Sequence, residues 1–136
     1  MTWKYKNVFR VICALVNEIE PPAVEGRVRH FKRLGVPVGC NTGTGKPANY
    51  TDAMVWELAV VSTLNQMGIT PVVAIEMTRG WDFSADPETF PYIVTPAGTI
   101  ALNFHRIRIA IEQERQRIPP AKRPRDVINL KAKKAA

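Results

Sequence analysis

Proline and glycine punctuate this chain so closely that no regular element can run long. Pro21-Pro22 is the sharpest of these marks. Proline has no amide hydrogen and a fixed φ, so it suits a helix's first turn and breaks a helix interior. Before the pair, Val8, Ile12, Leu15 and Ile19 recur on one helical face, which predicts a helix over 7–19. After it, Val28, Phe31 and Leu34 recur at the same spacing, with Arg27, Arg29, Lys32 and Arg33 on the other faces. Gly35 suits a helix C-cap, and Pro37 stops any continuation. The expected local structure is helix, tight turn, helix. The second helix has an apolar back and a basic front, a shape suited to lie against nucleic acid. A solvated basic surface helix has the same pattern.

Residues 38–49 form a glycine-rich loop, Val-Gly-Cys-Asn-Thr-Gly-Thr-Gly-Lys-Pro-Ala-Asn. A phosphate-cradling P-loop needs glycine, four residues, then Gly-Lys-Ser/Thr, because the hydroxyl holds magnesium. Here Cys40 stands at the first glycine and Pro47 at the hydroxyl position, so the motif fails at its chemical positions. A β-hairpin wing with Lys46 near its tip is the better reading. Thr51 is a good N-cap, and Asp52 is favourable at the positive helix end. Met54, Leu58, Val61 and Leu64, widened by Val55 and Met67, predict a core-facing helix that Gly68 closes. Thr70-Pro71 starts another, with Val72, Ile75 and Met77 expected inward.

Residues 81–89 read as a polar connector. Tyr92–Thr95 and Thr99–Leu102 flank Pro96-Ala97-Gly98, which predicts a hairpin. Asn103 can cap a helix from Phe104 to Ile118, with Phe104, Ile107, Ile111 and Ile118 on one side. Ile107, Ile109 and Ile111 also alternate as in a strand, but Glu112-Gln-Glu-Arg-Gln-Arg117 favours helix. That apolar side, without an intrachain partner, predicts a homodimer. The expected organisation is a DNA-binding unit over 1–80, a hairpin–helix dimerisation or partner-binding element over 81–118, and a basic, disordered tail over 119–136.

At 136 residues with a net charge of +7, the chain favours a polyanionic partner. Its two cysteines, Cys13 and Cys40, are too few for a disulfide scaffold or a closed zinc site. His30 and His105 lack ligands at metal spacing, and Ser62 and Ser84 lack a nucleophile context. Glu18, Glu20 and Glu25 balance the basic helix better than they form an acid–base pair. No catalysis, metal or cofactor is expected. No apolar run is long enough to span a membrane, and the start lacks a cleavable leader pattern, so a cytoplasmic protein is expected.

Arg29-His30-Phe31-Lys32-Arg33-Leu34-Gly35-Val36, Tyr50-Thr51 and Gly68-Ile69-Thr70 resemble, in order and spacing, the MerR-type winged-helix regulators. The resemblance covers roughly residues 24–79. It implies a mainly α fold with small β: a winged helix-turn-helix, followed here by a hairpin and a C-terminal helix. It also implies a transcriptional regulator that binds double-stranded DNA as a dimer. Arg27 and Arg29 are the candidates for base edges or adjacent phosphates, with His30, Lys32, Arg33, Lys46 and Tyr50 holding phosphates and Asn49 a further DNA-binding candidate. RNA polymerase or another regulator is a further expected partner. The chain departs from the family pattern in three places. Pro22-Ala23 stands at the usual Gly-Val-Ser turn, Ala48 at an arginine, and no cysteine follows Cys40 for thiol-based metal sensing. An excisionase-like architectural DNA binder and a protein-binding antiactivator are the rival readings.

Overall fold

The computed structural model describes residues 2–17, 19–39, 49–91, 93–95 and 98–119. Most of the expected wing, including Lys46, and residues 120–136 of the expected tail lie outside them. Among the described residues the fold is mainly helical, with one small hairpin.

Helix α1 (Tyr5–Leu15) and helix α2 (Pro21–Arg33) flank the turn that the two prolines enforce. Pro21 and Pro22 sit in the first turn of α2, where their missing amide hydrogens leave no bond unmade. Helix α1 begins and ends earlier than the periodicity predicts, with Val16 already at its C-cap and Glu20 at the N-cap of α2. Val8, Val11 and Ile12 of α1, and Val24, Val28 and Phe31 of α2, are buried. Leu34, expected on the inward stripe, is 39% exposed. Helix α2 ends one residue before it, so Leu34 leaves the stripe.

Helix α3 (Asp52–Gln66) starts as its sequence dictates. Thr51 Oγ1 accepts the Met54 N–H at 3.3 Å, and Met54 Sδ accepts the Thr51 N–H at 3.4 Å. The helix is buried on nearly every side: Val55, Leu58, Ala59, Val60, Val61 and Leu64 are all at most 1% exposed. A single stripe understates this because α3 is central, packing against α1, α4 (Pro71–Met77) and α5 (Phe104–Arg117). Helix α4 is short and presents Ala74, fully buried, to the core. Val72, expected inward, is instead 58% exposed, and Val73 beside it is 45% exposed. Thr70 occupies the N-cap of α4 without a side-chain bond.

The segment after α4 is no polar connector. Its rings fold back into an aromatic cluster: Trp81–Phe83 at 5.9 Å, Phe83–Phe90 at 5.5 Å, Phe90–Trp56 at 5.8 Å and Phe90–Phe104 at 5.4 Å. The area and edge-to-face contacts of these rings outweigh the polar residues between them. A 3₁₀ turn (Pro87–Thr89) leads to the hairpin of β1 (Ile93–Thr95) and β2 (Gly98–Ile100), antiparallel with Ile93 opposite Ile100.

Asn103 Oδ1 accepts the Arg106 N–H at 3.0 Å and starts α5, which settles helix over strand. Ile107 and Ile111 are each 1% exposed, packed within the chain on the side where α5 meets α1 and α3. Phe104 and Ile118 pack against the same cluster. The stripe expected to dimerise therefore has its partner inside the chain, and the apolar argument for dimerisation through it falls away. Residues from Trp3 to Ile111 share one hydrophobic cluster, so the expected boundary at 80/81 separates no cores. Among the described residues, no helix is long and apolar enough to cross a membrane.

Candidate nucleic-acid interface

Helix α2 has two unlike sides. Val24, Val28 and Phe31 face the core, and at 3.6 residues per turn the side directly opposite carries Pro22, Gly26, Arg29 and Arg33. All four are exposed, as is His30 next to them. Arg29 is 66% exposed, and its guanidinium bonds Glu25 Oε1 at 2.8 Å, one turn earlier. An exposed i, i+4 pair of this kind contributes only ~0.3–0.5 kcal/mol, so a polyanion can displace the glutamate. Gly26 lies in the middle of this outward stripe, and a Cβ built on it would meet nothing within 4 Å. Packing within the described chain does not require glycine there.

The flanks of α2 behave differently. Arg27 is half-buried and donates through Nη1 to Gln66 Oε1 at 3.2 Å, at the end of α3. Its azimuth turns it towards the protein, which removes it as a base-edge candidate in this conformation. Lys32 is half-buried on the other flank.

Asn49 is exposed and accepts from Lys4 Nζ at 3.4 Å. Tyr50, expected at a phosphate, is instead 2% exposed and too buried to hold one. Its backbone pairs with Trp3 in both directions, Trp3 N–H to Tyr50 O at 2.8 Å and Tyr50 N–H to Trp3 O at 3.0 Å. Tyr5, whose ring centroid lies 6.4 Å from that of Tyr50, sits near the Glu25–Arg29 pair. Burial raises its phenol pKa and Glu25 adds to the rise, while Arg29 opposes it.

Thus Arg29, His30 and Arg33 share one exposed face with Gly26. Arg27 and Tyr50 are turned inward, and Lys46 lies outside the described residues. The Lys4–Asn49 contact had no signal in residue spacing, because it depends on the Trp3–Tyr50 pairing that brings two distant segments together. Among the described residues, no group of three or more His, Cys, Asp or Glu side chains is placed to hold a metal ion. Comparison with protein-family models, with curated proteins and with solved structures finds no match.

Proposed function

We propose that this protein binds double-stranded DNA through the outward face of α2 and regulates transcription. The observation that carries the reading is Gly26, exposed between Pro22 and Arg29 on a basic stripe, at a position where a side chain would fit. Glycine in a helix interior costs roughly 1 kcal/mol relative to alanine. A partner's backbone approaching the helix closely accounts for keeping it. Arg29 is the base-edge candidate, since a bidentate arginine–guanine contact is the commonest specific one. Arg33 and His30 hold phosphates, and the net charge of +7 favours the encounter. The winged helix-turn-helix assignment belongs to this proposal, as does DNA-linked pairing of two copies. Such a pair needs a surface other than Ile107 and Ile111, which the chain itself covers.

Genome-wide mapping of bound DNA, followed by titration on the recovered site and a scrambled duplex at several salt concentrations, tests the reading. Arg29→Ala is expected to cost about 1–3 kcal/mol on the site and much less on the scrambled duplex. Arg33→Ala is expected to weaken both alike and reduce the salt slope by roughly one unit. Equal losses for Arg29→Ala on both duplexes demote it to a phosphate contact. Failure to bind any duplex at low salt, with a stable protein partner in pull-down, overturns the proposal in favour of a protein-binding module. Sites confined to recombination junctions favour an architectural role.

A further inference from the structure

The exit of α2, the first turns of α3 and the segment from Ile75 to Ser84 enclose a cleft of about 710 Å³. Small-molecule sites span roughly 300–1,000 Å³. Leu34, Val36, Met54, Ile75, Trp81 and Phe83 make its walls mostly apolar. Glu57 lines the same cleft, half-buried. Its Oε2 accepts the Val38 N–H at 2.9 Å, and among the described residues it has no basic partner. Burial pushes its carboxyl pKa up, with the Val38 bond opposing the rise.

Two other charged groups line the cleft, Arg79 and Asp82. The Arg79 guanidinium is exposed and pairs with Glu76 at 2.5 Å, so the lining sets two carboxylates against one guanidinium. Asp82 accepts from the Ser84 amide and hydroxyl and keeps its negative charge. The cleft is therefore an electronegative, aromatic-walled recess in a chain whose net charge is +7. A half-buried carboxylate with no counter-ion among the described residues is stabilised when a cation is brought to it. Aromatic faces add to that attraction. A neutral apolar guest would bury the carboxylate further without compensation.

We propose that this cleft binds an amphipathic organic cation, its apolar body against Trp81, Phe83 and Met54 and its charge against Glu57. The site is independent of the DNA-binding reading and is tested without DNA. Tetraphenylphosphonium and tetraphenylborate have the same shape and opposite charge, and each is titrated calorimetrically into the intact protein at neutral pH. Saturable phosphonium binding is expected, about tenfold or more tighter than borate, against the trend that net charge alone would set. Glu57→Gln keeps an acceptor for the Val38 N–H, and its fold is checked by circular dichroism and thermal melting. It is expected to weaken the phosphonium about tenfold and to leave the borate at least as tight as before, since the charge that repels it is gone. Borate binding as tight as phosphonium overturns the proposal. So does an unchanged phosphonium affinity in Glu57→Gln, or a folded wild-type protein that shows no saturable phosphonium binding.

Discussion

Trp3 donates its indole N–H to Asp52 Oδ1 across 2.6 Å, fastening the residues before α1 to the first turn of α3. Trp3 is fully buried, and the Arg115 guanidinium lies 5.8 Å from its ring centroid while reaching Asp52 Oδ1 at 3.3 Å. One carboxylate thus serves an indole, a guanidinium and a helix N-terminus together. Trp3→Phe keeps most of the ring and loses the charge-assisted bond. It is expected to lower stability by about 1.5–3 kcal/mol in urea unfolding. Trp3→Ala is expected to cost about 3–5 kcal/mol. A Trp3→Phe midpoint equal to wild type would show that the bond contributes nothing net.

Gly26→Ala separates folding from binding. The helix interior gains conformational restriction and the methyl group meets no neighbour. A stability gain of about 0.5–1 kcal/mol is expected. Duplex affinity is expected to fall in the same variant, as the methyl group holds the helix away from its partner. A gain in stability with unchanged DNA affinity would leave the glycine without a role at the interface.

Helix α4 offers a paired test of burial. Val72→Lys lies on the exposed side and is expected to change stability by no more than about 0.5 kcal/mol. Ala74→Leu overfills the contact with α3 and is expected to cost about 1–3 kcal/mol. Thermal melts of the two variants are the measurement; a larger loss for Val72→Lys would place α4 in a different rotation.

Glu57 gives stability a pH dependence of stated sign. Its folded-state pKa is raised above the ordinary 4.5, so the folded chain holds that proton more tightly than the unfolded chain. The contribution to stability is full below the unfolded value and is lost as pH rises through the folded one. Glu57→Gln is therefore expected to melt higher than wild type at neutral pH, with the difference shrinking in acid below 4.5. A constant difference across pH would assign the change to packing.

Local chemistry was legible in the sequence and encounters between distant segments were not. Pro21-Pro22, Thr51 and Asn103 place helix starts because a cap or a proline acts within four residues of itself. The all-round burial of α3, which takes in Ala59 and Val60 off the expected stripe, has no such signature, since α1 and α5 that pack on this helix lie far away in sequence. Trp81 and Phe83 read as part of a loop because both pack on Phe90, whose other partners, Trp56 and Phe104, come from separate helices. At the interface, residue type and helical azimuth pick out Arg29, His30 and Arg33. The inward turn of Arg27 depends on where α2 crosses the end of α3. Tyr50 was assigned to phosphate by its place in a motif, which gives order along the chain and not direction in space. The cleft could not be read at all, because Val38 and Glu57 meet from 19 positions apart and no periodicity links them.

Helices α1 and α5 are joined by Asn7 Nδ2, which donates to the buried Glu114 Oε1 at 2.9 Å across 107 positions of chain. Arg10 and Arg117 close on the same carboxylate from the surface. A ribosome adding about 5–20 residues per second makes the first helix wait several seconds for the last. During that interval α1 lacks one of the three helices packed against it, and α3 lacks one of its own three. Nascent chains halted before Phe104 should therefore be held by chaperones or degraded, and release of the α5 segment should be the event that ends their exposure. Pulse-chase proteolysis of stalled chains of increasing length would show protection arriving in one step once α5 has cleared the exit tunnel.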